Sequence, residues 1–261
     1  MKKLLLHAVR SLHLVFLNPA LPTRLAIYLH ALEAENYRAF EEFVTYFRGL
    51  GYRFCRVDEF HATSDKVILL SFDDNYRSWF DAIDLLEQLE VKALFFINTL
   101  PTLKQTDDQT ISGYYDRIAH HGERIPLTMA QIQALHQGGH TIGCHGHSHF
   151  NMAQLPFEQA VQEIQSNRQQ LETIIGEAVN HLSYPFGMRR HFTPALRQWC
   201  RENGFKTVFN AIPGLQHTDN RDCFDVNRTR WHLHHPIKRN VEDLSIDGRW
   251  FEKLTKKSAV G

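Results

Sequence analysis

From Leu25 onward, short apolar runs alternate with longer amphipathic stretches, and this rhythm limits the possible folds more than any other feature of the chain. The apolar runs are Leu25 to His30, Tyr52 to Val57, Lys66 to Phe72, Lys92 to Asn98, His140 to His145, His181 to Phe186, Phe205 to Ile212 and Phe224 to Trp231. Between them, helical periodicity predicts helices over 37–50, 79–89, 128–137, 156–175 and 194–203. Gly51, Gly176 and Gly204 close three of these, since glycine accepts positive φ without penalty just past a helix. Strands alternating with helices imply a parallel sheet covered by helices, hence the α/β class. At 261 residues the expected architecture is a distorted (β/α)7-type barrel, with functional groups at the C-terminal ends of its strands.

No repeat, low-complexity tract or linker interrupts the pattern, so 25–261 reads as one barrel domain. Residues 1–24 read as an extension carrying an amphipathic helix, with Leu4, Leu5, Ala8, Leu12 and Val15 at helical spacing. Its apolar run is broken by His7, Arg10 and His13 and lacks a small-residue cleavage site, which argues against a signal peptide. No apolar run approaches the length of a membrane span. A cytoplasmic location is therefore expected, with loose membrane-surface attachment through the first helix as the alternative. The polar stretch 100–126 reads as an excursion or lid over one barrel face. A charged helix is expected over 243–256.

Basic and acidic residues balance at 29 each, which argues against a nucleic-acid partner. Cys55, Cys144, Cys200 and Cys223 form no C-x-x-C pair and read as free thiols. The unusual count is 17 histidines, because imidazole is the commonest protein metal ligand.

Three clusters fall at strand ends. Asp73 and Asp74 follow an apolar strand, and adjacent carboxylates repel unless a cation or shared proton relieves them. Along a strand they would point to opposite faces, so sharing a pocket requires the chain to turn there. Asp-Asp before a helix also serves as an ordinary cap. His145, His147 and His149 end another strand, and two such imidazoles with a carboxylate make a metal-binding set with open positions. Spacing alone does not choose among the three. Ser183 to Gly187 closes a third strand in an irregular turn, able to offer a backbone N–H to a developing oxyanion.

Taken together, these clusters resemble the polysaccharide deacetylases, the NodB-homology domain of carbohydrate esterase family 4. The first motif of that family, T/S-F-D-D-G, is matched by Ser71-Phe72-Asp73-Asp74, with Asn75 in the glycine position. H-x-x-x-H followed by N-x-x-x-L is matched by His145 to His149 and Asn151 to Leu155, and P-Y/F-G by Pro185-Phe186-Gly187. The strand carrying His30, the helix before Gly51 and the segment Leu127 to Ile132 extend the likeness to about residues 25–235.

The resemblance implies removal of an N-acyl group from an amino sugar. Asp73 would be the general base, and Asp74, His145 and His149 would hold a divalent metal, zinc first, with cobalt, nickel, iron or manganese as alternatives. Tyr184 and Phe186 would lie on the oxyanion and substrate side, His147 would support its loop, and His232 would be favoured over His234 as general acid. The arginine that opens the third motif in many members is Ser183 here, leaving Arg189, Arg190 or Arg228 to supply a guanidinium. The implied partner is a carbohydrate, intracellular if the chain stays in the cytoplasm. Tyr76, Trp79, Phe150, Phe186 and Trp231 are aromatic candidates for sugar stacking, with core packing the expected fate of Trp79. The alternatives are hydrolysis of another non-peptide C–N bond or an O-acetyl ester, or a carbohydrate-binding barrel without turnover.

Overall fold

Eight consecutive buried residues, Val67–Asp74, form the strand around which the molecule is organised. The computed structural model describes residues 21–212 and 223–244. A strand apolar on both faces fits only inside a parallel sheet with a layer on each side. The chain runs β1 (Arg24–Leu29), α1 (Tyr37–Gly49), β2 (Arg53–Phe54), β3 (Val67–Asp74), α2 (Ser78–Asp81), α3 (Ile83–Gln88), β4 (Leu94–Ile97), α4 (Asp108–Arg117), α5 (Met129–Gln137) and β5 (Thr141–Cys144). It continues through α6 (Phe157–Ile175), β6 (His181–Ser183), α7 (Pro194–Glu202), β7 (Thr207–Phe209), β8 (Asp225–Val226), β9 (Thr229–Arg230) and α8 (Ile237–Leu244).

The spatial order is β8-β7-β6-β5-β4-β3-β1-β9, with β2 also pairing β3. Every pairing is parallel. The stretch Phe224 to Trp231, expected as one strand, is two. β8 bonds to β7 at one edge and β9 bonds to β1 at the other, so the linking residues Asn227 and Arg228 draw the edges of the curled sheet together. The distorted barrel of the α/β class is thus confirmed.

Alternation along β3 sorts its side chains. Ile68, Leu70 and Phe72 pack in the larger apolar cluster under the helices, whereas Val67 and Leu69 join Phe96, Phe209 and Val226 in a smaller one. Ser71 and Asp73 share the parity of Val67 and Leu69. The strand also runs further than its apolar residues indicate, because Asp73 and Asp74 pair with Phe96 and Ile97.

The helix expected over 128–137 is capped by Thr128 in a capping box, with Gln131 as the reciprocal partner. The helix expected over 79–89 is broken at Ala82 into α2 and α3. The 100–126 excursion contains a helix that its polarity concealed: α4, capped by Asp107, with Tyr114 and Tyr115 fully buried. The first helix, and most of the one expected over 243–256, fall outside the described residues. No described helix is long and apolar enough to cross a membrane.

Three fully buried asparagines hold the loops at the C-terminal ends of the strands. Asn75 donates to the carbonyl of Asn98 and to Thr102 Oγ1, both at 2.8 Å, and accepts from Leu127 N at 2.8 Å. Asn98 donates to the carbonyls of His145 (2.6 Å) and Gly146 (2.9 Å). Asn167, on α6, accepts from His145 N and donates to the carbonyl of Ile97, both at 2.9 Å. Each buried backbone group left without a partner costs about 1–3 kcal/mol. Asn167→Leu, which strips partners from two of them, is expected to lower the free energy of unfolding by about 2–6 kcal/mol. Urea titration checks this, and a loss below about 1 kcal/mol would contradict it.

Candidate active site

Parallel strands bring the ends of β1, β3, β5 and β6 to one face, and a cavity of about 310 Å³ opens there over Asp73, Asp74, His145 and His149. The two aspartates reach it by different routes. Asp73 follows the strand's parity, while Asp74 has φ of 90°, rare for any residue but glycine. His149 and Phe186 also have positive φ, at 60° and 65°. Strained backbone concentrated around one pocket is the pattern of a functional site. Gly187, with φ of 67°, is needed for space as well, since a Cβ there would stand 2.6 Å from Ala211 N.

Asp73 is gripped by Arg228, whose Nη1 and Nη2 donate to its two oxygens at 2.6 and 2.7 Å. The same guanidinium donates to Ser71 Oγ (3.0 Å), Ser183 Oγ (2.7 Å) and the carbonyl of Asn210 (3.0 Å), so all five of its N–H groups are used. Its plane lies against the rings of Tyr28 and Phe96, at 4.7 and 5.1 Å. Burial by itself would raise the Asp73 carboxyl. Arg228, followed by His145, outweighs burial and holds it below the usual carboxylate range. Of the three arginines left open by the sequence, Arg228 is the one beside Asp73, and Ser183 joins it by donating to Asp73 Oδ2 at 3.3 Å.

Asp74 faces the histidines. His145 Nε2 and His149 Nε2 stand 3.4 and 3.3 Å from its Oδ1, and the three form one buried cluster of possible metal ligands. Its Oδ2 accepts from Tyr76 OH at 2.8 Å. His145 Nδ1 lies 2.7 Å from the carbonyl of Ser183, which can only accept, so in neutral His145 the proton is on Nδ1 and Nε2 presents a bare lone pair to the carboxylate. A lone pair facing a carboxylate oxygen calls for a cation between them, and a carboxylate with two imidazoles suits a divalent ion of the zinc type. The residues present therefore fit the metal that the sequence motifs implied. His147 lies outside this cluster, its Nδ1 3.0 Å from Thr99 Oγ1.

The other expectations divide. Tyr184 and Phe186 line the cavity. Phe186 is exposed beside His149, at 4.9 Å between ring centroids, whereas Tyr184 is buried with its hydroxyl on the carbonyl of Gly187. Tyr76, Trp79 and Trp231 are buried, and Trp79 is core as expected. His232 lines a neighbouring cavity and is not among the residues lining the one over Asp73 and Asp74.

His30 lines both cavities, and sequence reasoning gave it no role. Its Nε2 is 3.8 Å from Asp74 Oδ2, its Nδ1 is buried without a partner, and burial pushes its pKa down to about 4. The available signal was positional: His30 ends β1 as the aspartates end β3.

Residues 61–208, more than half of the chain, match the family described as polysaccharide deacetylase, and the chain belongs to that family. Membership makes it a hydrolase of the polysaccharide deacetylase class. Among curated proteins, none matches. The fold is similar to that of the deacetylase PplD of Streptococcus pyogenes, solved in complex with acetate, with a TM-score of 0.68 and 16% identity over 87% of this chain and 100% of that one. It is also similar to IcaB of Ammonifex degensii, with a TM-score of 0.64 and 18% identity over 85% and 97% of the two chains. The deacetylase domain of BpsB from Bordetella bronchiseptica gives 0.61 and 16% over 81% and 97%. At these identities the likeness is one of fold.

Arg228→Met leaves the Asp73 charge buried and unpaired, and breaking such a pair costs about 3–5 kcal/mol. In the native protein the lowered carboxyl contributes stability above its ordinary pKa, lost as pH falls through the lowered value. In the variant burial dominates, the carboxyl rises, and protonation relieves the cost. The stability gap is thus expected to be widest near pH 7 and to narrow on acidification. Urea titrations at neutral and mildly acid pH test this, and a gap independent of pH would contradict it.

Proposed function

We propose that this protein is a metal-dependent hydrolase that removes an N-acetyl or related N-acyl group from an amino sugar in a glycan or glycan precursor. The carrying observation is the division of labour between neighbouring carboxylates: Asp74 converges with two imidazoles, while Asp73 is held apart by Arg228. Family membership supports the same reading.

Asp74, His145 and His149 would hold the divalent ion, zinc first, whose positive charge acidifies water and polarises an amide carbonyl. Asp73, kept ionised by Arg228, takes a proton as water attacks the acyl carbon. A C–O bond forms, the C–N bond breaks, and acetate and a free amine result. The Phe186–Gly187 turn, which lines the cavity, would offer a backbone N–H to the oxyanion, and the exposed Phe186 ring would give the sugar an apolar surface. The amine must leave protonated. His30 is better placed than His232 to deliver that proton, because it lines the same cavity as Asp73 and stands 3.8 Å from Asp74. Burial lowers its pKa to about 4, so His30 is neutral at pH 7 and would first have to take up the proton that it passes to the amine.

Zinc-loaded protein is expected to release acetate from N-acetylglucosamine oligomers. Asp73→Asn should lower kcat by about 100-fold or more while the bound metal remains. Metal binding with no acetate from any N-acyl sugar tested would contradict the proposal and favour a carbohydrate-binding barrel.

A further inference from the structure

Beyond the Asp74 cluster, three more histidines converge in the turn after the barrel-closing strand. We propose that His232, His234 and His235 form a second metal site, taking one divalent ion of the zinc type through imidazole nitrogens. One ligand atom from each lies within 4.8 Å of the others. Their ring centroids are 4.6 Å apart for His232–His235 and His234–His235, and 5.6 Å for His232–His234. Around a tetrahedral ion with metal–nitrogen bonds of about 2.0–2.1 Å, the nitrogens would stand about 3.3–3.4 Å apart, so the imidazoles must draw together to bind it. The exposed His234 has the rotamer freedom to make that adjustment.

The turn itself is built. Asn240, fully buried on α8, accepts from His232 N at 2.9 Å and donates to the carbonyls of His232 (3.0 Å) and His235 (3.3 Å). His235 N closes the turn onto the carbonyl of His232 at 3.0 Å. One amide side chain therefore fixes both ends of a four-residue stretch and holds three imidazoles in a single cluster that, unfixed, would spread into water. His235 Nδ1 is buried without a hydrogen-bond partner, an orphan that an ion would satisfy if that nitrogen ligates. No carboxylate belongs to the set, and Arg230 and Arg239 are charged neighbours. The ion should accordingly be held less tightly than at Asp74, with room for water or an anionic ligand. His232 and His234 line a cavity of about 360 Å³ that shares His30 and Arg230 with the pocket over Asp74, so the second ion would sit beside the catalytic entrance.

Untagged full-length protein, stripped by chelator and brought to equilibrium with Zn²⁺, tests the proposal by metal bound per chain. Wild type should bind two equivalents, the weaker of which disappears in the double variant His234→Ala, His235→Ala. Asp74→Asn should remove the tighter one instead. His234→Gln alone, at an exposed position that leaves the fold intact, should weaken the second equivalent by at least about 10-fold. A double variant that keeps the wild-type count would overturn the second site, as would a His234→Gln affinity equal to wild type. If Asp74→Asn kept the wild-type count while the histidine variants lost one ion, the second site would stand and the metal of the proposed active site would fall.

Discussion

A carboxylate buried at the centre of a barrel must have a cation beside it, and here that cation is Arg228. The pair joins β3 to the stretch that links β8 and β9, so the contact that ionises Asp73 forms where the edges of the sheet come together. An unpaired Asp73 would take up a proton and could not serve as the proposed base. Without Asp73, Arg228 would be a buried charge with two of its five donors lacking partners. Closure of the barrel and ionisation of the base proposed here therefore depend on the same contact.

Asp74 solves a different problem. Successive strand residues point to opposite faces, yet both carboxylates border one cavity. Positive φ at Asp74 turns the second one around at a cost in backbone strain. Tyr76, donating to Oδ2, and the buried asparagines behind the loops hold that strained geometry. Asn75, a departure from the glycine of the family motif, is one of these supports: all three polar atoms beyond its N–H have partners, drawn from α4 and from the segments after β4 and before α5.

The alternation of elements and the strand-end motifs were legible because they are local. Hydrophobic period announces a strand, and an aspartate pair or histidine cluster beside it announces chemistry. What sequence could not show is long-range pairing. Arg228 lies 155 residues from Asp73, and nothing local to either reveals the partnership. The division of Phe224 to Trp231 into two strands depends on which edges it meets, which its own pattern does not encode. Helix α4 was hidden because its buried face is two tyrosines whose hydroxyls reach Asn98 and Asn75. His30 counted only toward the family likeness, because one histidine after a strand carries no motif that assigns it a role.

The whole account requires one cation held between groups that lie 71 and 75 residues apart in sequence (145 − 74 and 149 − 74). Diffraction from zinc-loaded crystals, with anomalous difference maps at the zinc edge, examines this directly. A peak is expected about 2.0–2.2 Å from Asp74 Oδ1, His145 Nε2 and His149 Nε2, with Asp73 beside it but still bound to Arg228. A zinc-saturated crystal with no density between those three side chains, or with Asp73 as a ligand in place of Asp74, would contradict it.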